Sequence, residues 1–219
     1  MSNYRELHTL PNPVDPKLLV KWLAKKSLYI QSIPDCSSLL SQELLSRFDK
    51  IGITPECCYL FGLMECQERN TWIHTDLVSR DNQFIKFPCA INWELTPGNA
   101  TFNWWEIEGP EVYPNPSVHG QVDGYHLLGI HYETASINDD PLNKYDRDTI
   151  GSKTLDNGKI IESLELKFNT PYLVKVDVPH SVVYSTQSRQ RIGLSVRFTA
   201  QQIPTWERAL EVFDLFINK

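Results

Sequence analysis

Residues 180–198 read HSVVYSTQSRQRIGLSVRF. The stretch contains two extended segments, residues 181–186 and 192–198, joined by a polar turn. Both are rich in Val and Ile and alternate with period two, which is the pattern of a strand. In the second segment Arg191, Gly193, Ser195 and Arg197 fall on one face, and Ile192, Leu194, Val196 and Phe198 on the other. The apolar row marks a sheet packed on a core. The row of Arg, Gly, Ser and Arg suits a pocket that takes an anion. A guanidinium grips a carboxylate through two parallel hydrogen bonds, and Gly leaves room beside it.

The upstream partner of this stretch is Trp72-Ile73-His74-Thr75-Asp76-Leu77. In an extended segment His74 and Asp76 point the same way. With His180 they make two imidazoles and a carboxylate, a set that leaves one side of an iron(II) ion open. An open side suits a chelating cosubstrate and dioxygen. The His-x-Asp triplet is a weak signal alone, and His131-Tyr132-Glu133, with His126 close by, has the same ligand spacing.

The triplet His74-Thr75-Asp76, His180, and Arg191 at the head of Arg-Ile-Gly-Leu-Ser-Val-Arg-Phe together resemble the iron(II)/2-oxoglutarate-dependent oxygenase family. Residues 87–105, FPCAINWELTPGNATFNWW, are similar to small members found in phage and marine bacteria. The resemblance spans residues 55–198. It implies a mainly β fold with a double-stranded β-helix (jelly-roll, cupin-like) core. In that core four strands separate the strand bearing the first two ligands from the strand bearing the last histidine. Residues 78–179 have room for four strands, whereas those after Glu133 do not, which favours His74 and Asp76 over His131 and Glu133.

The resemblance further implies that His74, Asp76 and His180 hold iron(II), with ascorbate as reductant. The keto acid end of 2-oxoglutarate would chelate the metal, and its distal carboxylate would meet Arg191. Arg197 is a candidate second contact and Arg189 the alternative for the main one. Asn92, in the apolar run Ala90-Ile91-Asn92-Trp93, would reach the cosubstrate or satisfy a neighbouring backbone group. The products would be succinate, carbon dioxide and a hydroxylated small molecule or side chain. The family often places Ser two residues after the arginine; here that position is Gly193, with Ser195 two further on. Two other classes remain open: a metal-dependent cupin enzyme that does not use 2-oxoglutarate, and a non-catalytic β-helix module that binds a ligand.

Composition bounds the reading. A chain of 219 residues with 41% hydrophobic and 11% aromatic content suits one domain with a sizeable core. A net charge of −6 and the lack of any basic run beyond Lys25-Lys26 argue against nucleic acid as partner. No apolar run reaches the roughly 18–20 residues that span a bilayer, so a soluble, cytoplasmic protein without membrane contact is expected. Five cysteines, odd in number and without CxxC spacing, are expected to be reduced and mostly buried, with Cys57 and Cys58 on opposite faces of a strand.

The expected organisation is a single domain over residues 1–219. Residues 1–54 hold an irregular arm and two helices, near 13–26 and 37–50. Residues 55–200 form the β-core, and residues 201–219 a C-terminal helix packed outside it with the N-terminal helices. Strands are expected at residues 57–65, 72–77, 84–95, 101–107, 125–134, 159–168 and 172–178. Residues 84–95 and 101–107 should form a hairpin across Thr96-Pro97-Gly98-Asn99. Residues 108–158, rich in Pro, Gly, Asn and Asp, read as an insertion around the strand at 125–134, part of which covers the metal and selects the substrate.

Overall fold

The structure, a computed structural model, describes residues 2–23, 30–63, 69–70, 73–80, 83–97, 100–108, 111–112, 128–132, 158–184 and 191–217. In chain order its elements are β1 (Tyr4–Glu6), α1 (Pro16–Leu23), β2 (Ile30–Ile33), α2 (Gln42–Lys50), β3 (Pro55–Leu63), β4 (Arg69–Asn70), β5 (His74–Arg80), β6 (Gln83–Lys86), β7 (Cys89–Glu94), β8 (Ala100–Ile107), β9 (Glu111–Val112), β10 (Leu128–Tyr132), β11 (Gly158–Leu166), β12 (Tyr172–Lys175), β13 (His180–Tyr184), β14 (Arg191–Phe198), α3 (Trp206–Val212) and α4 (Asp214–Ile217).

The strands build two antiparallel sheets. One has six strands in the order β1-β12-β7-β14-β3-β2. The other has eight, with the path β11-β8-β13-β5-β10-β9, β4 added on β13 and β6 on β5. The chain passes repeatedly between them: β3 and β7 lie in the first, β5 and β8 in the second, then β12, β13 and β14 alternate.

Period two decides what lies between the layers. Along β14 all eight residues are buried, because both faces are covered. Ile192, Leu194, Val196 and Phe198 join Cys58, Leu60, Trp93, Leu44, Phe48, Trp206 and Phe213 in a core between the six-stranded sheet and the helices. Cys57, Tyr59, Phe87 and Ala90 meet Phe102, Trp104, Leu164 and Leu166 in a second core between the two sheets. Burying a large apolar side chain of this kind contributes roughly 1.5–3 kcal/mol. Cys57 and Cys58 therefore do face opposite ways, and Cys36, Cys57, Cys58 and Cys89 are buried free thiols. Burial pushes the Cys57 and Cys89 thiols up to about 12. Cys66 lies outside the described residues.

The helices have ordinary local causes. Ser41 starts α2 by accepting a hydrogen bond from the Leu44 N–H at 3.3 Å. The chain leaves that helix through Gly52 at φ 73°, a conformation that suits Gly. Thr205 caps α3 in the same way as Ser41, accepting from the Arg208 N–H at 3.2 Å.

Several expectations are corrected. Residues 84–95 are not one strand: the chain turns at Phe87-Pro88, so β6 pairs with β5 in one sheet and β7 with β14 and β12 in the other. Pro88 has no N–H to donate to a continuing ladder. Residues 84–95 and 101–107 do not form a hairpin either, because β7 and β8 lie in different sheets. β13 and β14, neighbours in sequence, are likewise in opposite sheets. The N-terminal arm is not wholly irregular, since β1 extends the six-stranded sheet by pairing with β12. The helix expected over residues 37–50 is split by a short 3-10 turn at Cys36–Ser38 ahead of α2. Of the insertion expected over residues 108–158, only Glu108, β9, β10 and Gly158 are described, and the lid assigned to it lies outside the described residues. Among the described residues no helix is long and apolar enough to cross a membrane.

Candidate metal centre

Asp76 is where the two sheets are tied together. Its backbone N–H donates to the Val176 carbonyl at 2.9 Å, and its carbonyl accepts from the Phe87 N–H at 3.2 Å. With both main-chain groups engaged, the side chain is held pointing between the sheets, 1% exposed. His74, two residues earlier on the same face of β5, stands opposite His180 in the β5–β13 register. Their rings lie 4.4 Å apart, centroid to centroid.

The three side chains converge. His74 Nε2 is 3.3 Å from Asp76 Oδ1, and His180 Nε2 is 3.6 Å from the same oxygen. One ligand atom from each residue falls within a 4.8 Å group. Their chemistry fits a cation. His180 Nδ1 lies 2.9 Å from the Val178 carbonyl, to which it donates, so Nε2 keeps its lone pair. Burial holds the His180 imidazole below its usual pKa, with His74 adding to the effect, and this favours the neutral ring a metal needs. Phe102 stacks on that ring at 4.9 Å and fixes its plane. Asp76 Oδ1 is buried without a hydrogen-bond partner. A buried acceptor left in this state needs a reason. A cation held between the carboxylate and the two imidazoles is one.

Charge around Asp76 is set by Arg197. Its Nη2 donates to Asp76 Oδ2 from the opposite sheet, in an ion pair buried on both sides. Burial pushes the Asp76 carboxyl up, but Arg197 and then His180 outweigh it and hold the group well below the usual carboxylate range. The Arg197 guanidinium also lies 5.9 Å from the Tyr59 and Phe87 ring centroids. Its Nε and Nη1 are buried without hydrogen-bond partners.

The polar face of β14 continues the cavity. Ser195 donates to Asn92 Oδ1, across the register that pairs the two residues. Arg191 Nε donates to Glu94 Oε2 at 2.9 Å, and its Nη2 donates to Glu94 Oε1. A single cavity is lined by His74, Asp76 and His180 at one end, Arg197, Ser195 and Asn92 along β14 and β7, and Arg191 and Glu94 beyond. Phe61, Phe102, Leu166 and Val182 give it apolar walls.

All six site residues read from the sequence thus meet in one place: His74, Asp76 and His180 as a group with metal-ligand spacing, Arg191, Arg197 and Asn92 beside them. Two details differ from their expected surroundings. Arg197 holds the carboxylate of Asp76, and Arg191 is bonded side-on to Glu94. Of the competing set, His131 lies on β10 in register with His74, while His126, Glu133 and Arg189 lie outside the described residues. Glu94 was missed by the sequence reading. Its signal was present, as a carboxylate two residues after Asn92 on one strand face, within the otherwise apolar Trp93-Glu94-Leu95.

The chain matches no protein-family model and no curated protein.

Proposed function

We propose that the protein is a non-haem iron(II)- and 2-oxoglutarate-dependent oxygenase, hydroxylating a small molecule or a side chain and releasing succinate and carbon dioxide. The observation that carries the reading is the bare, buried Asp76 Oδ1 facing the Nε2 atoms of His74 and His180. Two imidazoles and one carboxylate leave coordination positions open, which structural zinc sites do not. The strand order supports a double-stranded β-helix as the scaffold. β3, β14, β7 and β12 run side by side in one sheet, and β5, β13, β8 and β11 in the other.

Bound iron(II) would supply the redox chemistry with dioxygen and a chelating keto acid. The rest falls to the chain. Arg197 fixes Asp76 through Oδ2 and so turns Oδ1 towards the histidines. The Val178 carbonyl sets the tautomer of His180. Arg191 provides the guanidinium for the distal carboxylate of 2-oxoglutarate, in a buried setting where a paired hydrogen bond is strong. Phe61, Phe102 and Leu166 keep the cavity apolar and limit water.

A second reading has one observation in its favour. Arg191 is already bonded to Glu94, as it would be in a cupin-like metal enzyme that does not bind 2-oxoglutarate.

Titration calorimetry with manganese(II), as a redox-silent substitute, tests the centre. One equivalent should bind. His74→Ala and His180→Ala should each weaken binding by at least about a hundredfold, the upper range for disturbing a metal shell. In the manganese-loaded protein Arg191→Ala should weaken 2-oxoglutarate and spare the metal. Unchanged metal binding in the double histidine variant defeats the assignment. Metal binding without any 2-oxoglutarate binding favours the cupin-like enzyme.

A further inference from the structure

We propose that Glu94 is a built-in competitor for the Arg191 guanidinium, and that it sets how strongly the cavity prefers a 2-oxo dicarboxylate over a 2-oxo monocarboxylate. This rests on the cosubstrate reading above and adds a specificity-determining residue to it.

The register creates the competition. Glu94 on β7 stands directly opposite Gly193 on β14, and Arg191 lies two residues further along the same face of β14. A diagonal neighbour at that offset is within reach of long side chains. Both oxygens of Glu94 are used, one by Arg191 Nε and one by Nη2. This paired, side-on geometry is the one a ligand carboxylate would seek.

Gly193 makes the seat. A Cβ at that position would stand 3.1 Å from Arg191 Nη2 and 3.4 Å from Cζ. The guanidinium therefore lies over the strand at a residue where any side chain would crowd it, and that residue is the register partner of Glu94. Both members of the pair are buried, Glu94 at 1% and Arg191 at 6% exposed. Desolvation raises the Glu94 pKa, and the Arg191 ion pair opposes the rise.

Ligand entry is then an exchange and not an addition. With Glu94 in place, a dicarboxylate must take hydrogen bonds from an internal carboxylate and lie near its charge. With a neutral amide there, the guanidinium no longer faces the Glu94 carboxylate, and an incoming carboxylate can take the paired hydrogen bonds that Glu94 held. A monocarboxylate keto acid never reaches Arg191 and is indifferent to the change.

The test uses the full chain loaded with manganese(II), as wild type, Glu94→Gln and Glu94→Asp. Each is titrated with 2-oxoglutarate and with 2-oxobutyrate, which keeps the keto acid end and lacks the distal carboxylate. Glu94→Gln should bind 2-oxoglutarate about tenfold tighter or more, a scale set by removing one nearby like charge. Its affinity for 2-oxobutyrate should stay within about twofold, the change expected of a contact that is not made. Glu94→Asp, one methylene shorter, should fall between, and it covers the case in which the amide variant does not fold. Equal or weaker 2-oxoglutarate binding in Glu94→Gln, with 2-oxobutyrate still bound, overturns this proposal alone and makes Glu94 a support for Arg191. Neither keto acid binding to any of the proteins overturns the cosubstrate reading and this inference together.

Discussion

Asp76 carries three demands in one side chain: a buried charge, a cross-sheet ion pair, and a bare oxygen between two imidazoles. A buried carboxylate tolerates this only with a counter-charge in contact, and Arg197 is that charge. Arg197→Ala should therefore cost about 3–5 kcal/mol, the range for stripping one partner from a buried pair. Urea unfolding measures it. Manganese(II) should restore part of the loss, because a cation between His74, Asp76 and His180 offers the carboxylate a new counter-charge. A variant as stable as wild type without metal would mean that the Asp76 charge is compensated elsewhere. At this scale the sequence was informative wherever chemistry follows from residue type and period. His74 with Asp76, and Arg191 with Arg197, are paired by strand alternation alone. Arg197's partner was not legible, because Asp76 lies 121 positions away and only folding brings them together.

At the scale of elements, period two found most strands and said nothing of their partners. The Phe84–Leu95 region shows why. Apolar residues predominate on both sides of Phe87-Pro88, so the hydrophobic pattern does not mark the point where the chain leaves one sheet for the other. Pro88 was the available sign, since a missing N–H interrupts a ladder. The turn residues Thr96-Pro97-Gly98-Asn99 predicted a break between two strands, and such a break can join two sheets as well as two paired strands; β7 and β8 lie in different sheets, and Gly98 and Asn99 lie outside the described residues. β8 lies where the layers meet. Its Trp104 is fully buried, stacks on Tyr4 with ring centroids 5.8 Å apart, and donates from Nε1 to the Lys175 carbonyl at 2.8 Å. That bond joins the eight-stranded sheet to the end of β12. Trp104→Phe keeps most of the apolar contact and leaves the carbonyl without its donor. It should cost about 1–3 kcal/mol with the manganese stoichiometry unchanged, as read by chemical unfolding and calorimetry. A wild-type unfolding midpoint would show that the bond contributes nothing net.

For the whole molecule, the arrangement is helices, six strands, then eight strands. The outer boundary of the six-stranded sheet depends on its first few residues. β1 covers the edge of β12, the Asn3 N–H and the Ser2 hydroxyl both bond to Glu162, and Leu7 is buried. An uncovered strand edge is a template for pairing with another chain. Deleting residues 2–7 should lower the melting temperature and produce larger species by light scattering. A monodisperse truncated protein with the original melting temperature would mean that β12 is protected without β1. The overall partition into a helical start, a β-core and a helical end was legible from the change of period along the chain. Which strands sit beside which was not, because the pairings that assemble the site, β5 with β13 and β7 with β14, join residues far apart in sequence.

That separation has a consequence during synthesis. β3 leaves the ribosome early, yet its neighbour β14 is about 130 residues behind it; His74 waits for His180, 106 positions further on (180 − 74). No nascent fragment ending before β13 contains all of His74, Asp76 and His180, and none ending before β14 contains either Arg191 or Arg197. The growing polypeptide carries apolar half-sheets without their neighbours until the last two strands emerge, the situation in which long-range β pairing is slow and exposed strand edges favour aggregation.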